Sequence, residues 1–159
     1  MNTKKITTMS LLCAAALTIF VAESQIPSPI AGVKLGLANI VTLYTMALFG
    51  RREAALVLTA RIILGSMFTG SMSSLIFSLT GGISAYFVMA LTIGIFPEHL
   101  LWVVSVFGAL AHNAGQLAAA MLITRTPGLL AYGLMLLISA IVTGAFTGLA
   151  AQYLIKRKI

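Results

Sequence analysis

Six apolar runs alternate with short polar or turn-forming breaks along this chain. A helix needs about 20 apolar residues to cross the hydrocarbon of a bilayer. The runs at about 6–22, 35–49, 53–68, 75–95, 99–124 and 129–155 therefore predict six transmembrane helices in one compact all-α bundle covering 1–159. The breaks carry the chemistry that stops helices. Glu23-Ser24-Gln25 and the Pro27-Ser28-Pro29 turn close the first run, because proline has no backbone donor to offer. Gly50-Arg51-Arg52 ends the second, and the charge of Glu53 suits the N-terminus of the third. Gly70, Ser71, Ser73 and Ser74 mark the next connection. Pro97 ends the fourth run, and Arg125-Thr126-Pro127-Gly128 closes the fifth. The second and third runs are the shortest, and a partly re-entrant segment there is the alternative.

Charge gives the bundle a direction. Hydrophobic residues make up 60% of the chain and charged ones 8%, against roughly 25% charged in soluble domains; the mean hydropathy is +1.07. Of ten Lys and Arg, seven fall in three clusters: Lys4-Lys5, Arg51-Arg52 and Lys156-Arg157-Lys158. A nucleic-acid footprint needs a continuous basic face, and these charges instead sit at the ends of apolar runs. The positive-inside rule accounts for them. With six spans and both termini cytoplasmic, all three clusters lie inside and only Lys34 and Arg125 outside. The N-terminus has the outline of a signal peptide, with cleavage near Ala22 or Ser24. The run is long for that role and further spans follow, so a retained first helix is the expectation. The lone Cys13 excludes an internal disulfide framework and reads as packing.

Lipid supplies no hydrophobic drive for helix pairing, so small residues mark where backbones approach. Gly144 and Gly148 form a G-x-x-x-G in the sixth run, and Ser10, Ala14 and Thr18 form a small ridge on the first. Spacing of this kind predicts ordinary bundle packing.

A few polar groups stand out against this background. Arg61 lies mid-span in the third run, where a lone arginine costs at least ~2.5–3.5 kcal/mol. It either caps carbonyls or pairs with Glu23 or Glu53, or it binds an anion in a cavity. In the fifth run His112 and Gln116 share a helix face, next to Asn113, and Ser105, Gly108, Ala109 and Ala119 extend that face. Such a strip suits a ligand cleft or a close helix contact with interhelical hydrogen bonds. No second His or Cys has the spacing for a metal site around His112. The segment 27–39 makes an irregular loop into the second helix, where Lys34 and Asn39 stand ready for an anion or belong to a plain connector.

The segment Pro-x-x-Gly-Val-Lys34-Leu-Gly-Leu-Ala-Asn39-Ile, the stretch Phe77-Ser78-Leu79-x-Gly81-Gly82 and the motif His112-Asn113-x-Gly115-Gln116 resemble the Gx transporter family, also labelled heptaprenyl diphosphate synthase component I. The proline loop and its Val-Lys-Leu-Gly exit are also similar to the substrate-binding S components of energy-coupling factor transporters. That resemblance implies a ligand bound from outside beneath the first loop, and the residues already singled out, Lys34, Asn39, Arg61, His112, Asn113 and Gln116, are the candidate ligand contacts. It also implies docking of a transmembrane coupling protein with its ATPases through Ser10, Ala14 and Thr18, in the plasma membrane of a prokaryote. Relatives also look like membrane subunits of flavin-linked extracellular electron transfer, which implies a flavin-binding partner instead.

The synthase label conflicts with the residues. Prenyl diphosphate elongation holds magnesium on clustered carboxylates, whereas this chain has no Asp and its three Glu are scattered. The chain is expected to be no enzyme and to hold no cofactor or metal of its own. Three readings follow: a substrate-binding component for uptake, a membrane subunit of a flavin- or quinone-linked redox system, and an accessory subunit of isoprenoid or menaquinone metabolism.

Overall fold

Helix formation follows the apolar runs, with shifts at their ends that shape the interior. The computed structural model describes residues 3–26, 34–70 and 72–158. Its helices are α1 (Thr3–Glu23), α2 (Asn39–Phe49), α3 (Arg51–Thr69), α4 (Met72–Thr92), α5 (Leu101–Thr124) and α6 (Gly133–Lys158). Single 3-10 segments, Glu98–Leu100 and Pro127–Tyr132, lead into α5 and α6. The expected Pro27-Ser28-Pro29 turn and Ser71 lie outside the described residues. Ser73 and Ser74, expected in a connection, are already helical.

The largest departure is in α2, which starts at Asn39 rather than near residue 35. Gly36 has φ +81°, a left-handed conformation that interrupts a helix and is open to glycine without strain. The eleven residues of α2 rise only ~16 Å, about half of a hydrocarbon core of roughly 30 Å. Among the described residues, four helices are long and apolar enough to cross a membrane: α1, α4, and α5 and α6 with their leading turns. The other two differ for separate reasons. α2 is short, and α3 spends four of its nineteen positions on Arg51, Arg52, Glu53 and Arg61.

The helices nevertheless run alternately up and down. Lys5 Nζ lies 2.5 Å from Glu53 Oε1, fixing the starts of α1 and α3 at one end. Tyr86 donates its hydroxyl to the Arg51 carbonyl at 3.0 Å. Arg51, Glu98 and Ile155 border one cleft, so the α2–α3 turn, the α4–α5 turn and the end of α6 meet there. All three basic clusters thus share one end of the bundle.

Small residues set the closest contact. A Cβ on Gly148 would sit 2.4 Å from the Trp102 Cα, and one on Gly144 would sit 2.7 Å from the Val106 Cα. The G-x-x-x-G of α6 is therefore spent on α5, as ordinary bundle packing. Between the same helices, the hydroxyls of Ser105 and Thr147 are 2.9 Å apart, and Asn113 Nδ2 donates to the Leu136 carbonyl at 2.8 Å. The small face of α5 around Ser105, Gly108 and Ala109 is accordingly a helix contact and not a cleft. Ser10, Ala14 and Thr18 are exposed on the outer side of α1, and Ser10 and Ala14 border an apolar groove against Leu56, Ala60 and Leu64 of α3.

Candidate functional site

At the end of the bundle opposite the basic clusters, four helices and the chain entering α2 enclose a set of buried polar groups. The last turn of α1 brings Phe20 and Glu23, the irregular approach to α2 brings Lys34 and Gly36, α3 brings Arg61, α4 brings Ser78, and α5 brings His112 and Gln116. The spacing of His112 and Gln116 puts both on the same side of α5. Glycines let the walls close: a Cβ on Gly81 would lie 2.8 Å from Gln116 Cγ and from the His112 ring, and one on Gly65 would lie 2.5 Å from the Phe20 ring. Gly36 itself presses on His112, its missing Cβ 2.9 Å from Cδ2 and 3.0 Å from Asn39 Nδ2.

Two side chains pin the non-helical backbone in this region. Glu23 Oε1 accepts the N–H of Gly36 at 2.5 Å, and its carboxylate also interacts with the N–H of Leu37. Gln116 Oε1 accepts the N–H of Lys34 at 3.0 Å. The Lys34 ammonium stands over the Phe20 ring, 3.3 Å from its centroid, and the Arg61 guanidinium approaches the same ring at 5.8 Å. Both are within the range of cation–π attraction. Burial holds the Lys34 amine down from 10.5 to about 8, opposed by the nearby Glu23 and reinforced by Arg61.

Most of the remaining polar atoms have no partner. Among the described residues, Lys34 Nζ, Arg61 Nε, Ser78 Oγ, Gln116 Nε2 and both polar atoms of the Asn39 amide find no hydrogen-bond partner. His112 sits against the Gly81 backbone, yet neither ring nitrogen makes a hydrogen bond of normal geometry. Arg61 and His112 are each 3% exposed and Gln116 is 0% exposed. Buried groups of this kind are paired in the great majority of proteins, and each orphan costs about 1–3 kcal/mol. A cluster of them is the signature of groups built to meet something else. The space between them is small in this conformation, about 10 Å³ for the centre of a water molecule, close to the minimum for one water.

Of the six residues the sequence singles out for ligand contact, Lys34, Arg61, His112 and Gln116 line this one cavity. Asn39 adjoins it through Gly36. Asn113 does not face it: its amide nitrogen is committed to α6, because adjacent helix positions point about 100° apart. The alternative of interhelical hydrogen bonding therefore applies to Asn113 and Ser105, while His112 and Gln116 turn toward the cavity. Sequence reasoning named Glu23 only as a possible partner of Arg61 and Ser78 only within a family-like stretch, assigned neither to the ligand site, and passed over Phe20. Glu23 was legible as one of only three acids, set just before the proline loop, and Ser78 falls within the Phe77-to-Gly82 stretch. Nothing marks Phe20 among the other apolar residues of α1.

No curated protein matches the chain, and no solved structure does. A family described as heptaprenyl diphosphate synthase component I matches residues 12–154, which include every residue of the cavity, and the chain belongs to that family.

Proposed function

We propose that the protein is a non-catalytic membrane component that binds a polar or anionic small molecule in the cavity around Arg61, as the substrate-binding part of an uptake system. The observation that carries this reading is the convergence of Lys34, Arg61, His112 and Gln116 with unpartnered polar atoms in a membrane bundle. A buried arginine facing helix carbonyls would have a purely structural explanation. Here its Nε–H is left free, and among the described residues the one close ion pair joins Lys5 to Glu53 at the other end. Access is from the end opposite the basic clusters, which positive-inside topology makes the outer face. Ser10, Ala14 and Thr18, exposed on α1, are the proposed contact for a transmembrane coupling partner.

A non-catalytic role also fits the placement of the acids. Glu23 holds backbone N–H groups, Glu53 is paired with Lys5, and Glu98 is exposed near Arg51. They are spread over both ends of the bundle, whereas magnesium-assisted diphosphate chemistry needs carboxylates together.

Native mass spectrometry of the purified protein tests the reading. A small-molecule adduct is expected on the wild type and not on Arg61→Gln, since removing one member of a buried charge pair weakens binding by on the order of 2–5 kcal/mol. Identical spectra for a folded variant and the wild type would reject it.

A further inference from the structure

The cavity also restricts what its ligand can be, an inference that rests on the binding reading above and narrows it. Lys34 and Arg61 bring two positive charges and Glu23 one negative charge to the same small space. His112 is counted as a neutral imidazole, the predominant form of the side chain at pH 7. Glu23 accepts the N–H of Gly36 and stands beside the two cations, contacts that favour the carboxylate form in which it is counted here. One positive charge is therefore left without a counter-ion in a medium where charge is poorly screened.

The hydrogen-bonding inventory leans the same way. Free donors are Lys34 Nζ, Arg61 Nε, Gln116 Nε2 and the Ser78 hydroxyl. Two acceptors are already engaged, Gln116 Oε1 by Lys34 N–H and Glu23 Oε1 by Gly36 N–H, and the adjoining Asn39 amide adds one free donor and one free acceptor, leaving donors in excess. His112 can offer one donor and one acceptor. What such a site lacks is acceptor oxygens carrying a single negative charge.

We infer that the group recognised here is a monoanion with at least two acceptor oxygens, a carboxylate or a phosphodiester, and that Glu23 excludes dianions and diphosphates. A second negative charge would find no unmatched cation and would stand against Glu23, which is unfavourable in a buried site. A diphosphate is ordinarily met by magnesium on several carboxylates, and the two other acids, Glu53 and Glu98, lie at the far end of the bundle. The product in the family's description is thus not the ligand of this cavity. To enter, the anion displaces the Lys34 ammonium from the face of Phe20, exchanging a cation–π contact for a charge-assisted hydrogen bond.

Thermal unfolding of the full chain in detergent, at pH 7 and matched ionic strength, tests this with benzoate, sulfate and pyrophosphate as probes. Benzoate is expected to raise the midpoint, with apparent affinity about tenfold above either multivalent anion, the factor given by ~1.4 kcal/mol of unmatched charge. Glu23→Gln keeps an acceptor for Gly36 while removing the negative charge, so it should narrow or reverse that order. Arg61→Gln should abolish the benzoate shift, and Arg61→Lys should retain part of it. Repeating the measurement with phosphatidylglycerol in the micelle separates the two sources of a monoanion: an Arg61-dependent shift from lipid or from benzoate supports the charge class and names its origin. An Arg61-dependent preference for sulfate or pyrophosphate would overturn the charge class and leave the binding reading standing. The absence of any Arg61-dependent shift from all four would overturn both.

Discussion

The main-chain N–H of Lys34 donates to the side-chain oxygen of Gln116 across 3.0 Å, tying the chain before α2 to the middle of α5. The two residues are 82 positions apart, and the bond replaces the one this backbone would have made inside a helix. Gln116 is wholly buried, so water cannot substitute for it. Replacing it with leucine should strand the Lys34 N–H and lower stability by about 1–3 kcal/mol. Gln116→Glu, which keeps an acceptor, should recover part of the loss. Unfolding midpoints in detergent check this, and equal midpoints for leucine and wild type would refute it.

Lys34 predicts a pH dependence. Its amine sits at about 8 in the folded protein against 10.5 in the free side chain, so the folded state disfavours the charged form. The penalty is complete below about pH 8 and is relieved as pH rises from there toward 10.5, because the unfolded chain then holds the proton more tightly. Stability from this group should rise between pH 8 and 10, and Lys34→Met should flatten that rise. Affinity for an anion should move the opposite way and fall above pH 8 as the amine loses its charge. Melting curves and binding isotherms over pH 7–10 measure the two slopes.

Gly148 has no room for a methyl group, with the Trp102 backbone 2.4 Å from where a Cβ would be. Gly148→Ala should force α5 and α6 apart, with a loss typical of overpacking, about 1–3 kcal/mol. Gly70→Ala offers the contrast of open space, since nothing lies within 4 Å of its Cβ position; its loss should reflect only backbone strain at φ +60°. Equal midpoints for Gly148→Ala and wild type would contradict the contact.

Orientation can be read by labelling. In a Cys13→Ala background, a cysteine at Gln25 should react with an impermeant maleimide from outside sealed cells, and one at Arg157 only after the membrane is opened. Both positions are exposed and they lie at opposite ends of the bundle. Reaction of both from the same side would reject the alternating arrangement with cytoplasmic termini.

How much of this was legible in the sequence depends on which force set each feature. Apolar run length set α1, α4, α5 and α6, and these were readable because membrane helices follow hydropathy. The start of α2 was not, because Leu35, Leu37 and Ala38 are as apolar as the helix that follows; the left-handed Gly36 and its contact with His112 delay the start of the helix, and neither is visible in one dimension. Arg61, His112 and Gln116 stood out because charge and amides are rare in such runs. Asn113 stood out equally and faces α6, since a polar residue advertises a need for a partner without saying which neighbour meets it. Phe20 gave no signal at all. Its role comes from Lys34 and Arg61 approaching its ring, a relation between three separate segments.

The shortness of α2 has a consequence for how the protein enters its membrane. A stretch of backbone that is not helical cannot be handed to lipid until its N–H groups are met from elsewhere in the chain. For Lys34, Gly36 and Leu37 they are met by Glu23, made earlier, and by Gln116, made some eighty residues later. This part of the chain therefore cannot settle at its final depth until α5 has been synthesised and has swung into place. Biogenesis and recognition draw on the same few atoms, and a variant that alters the second has to survive the first.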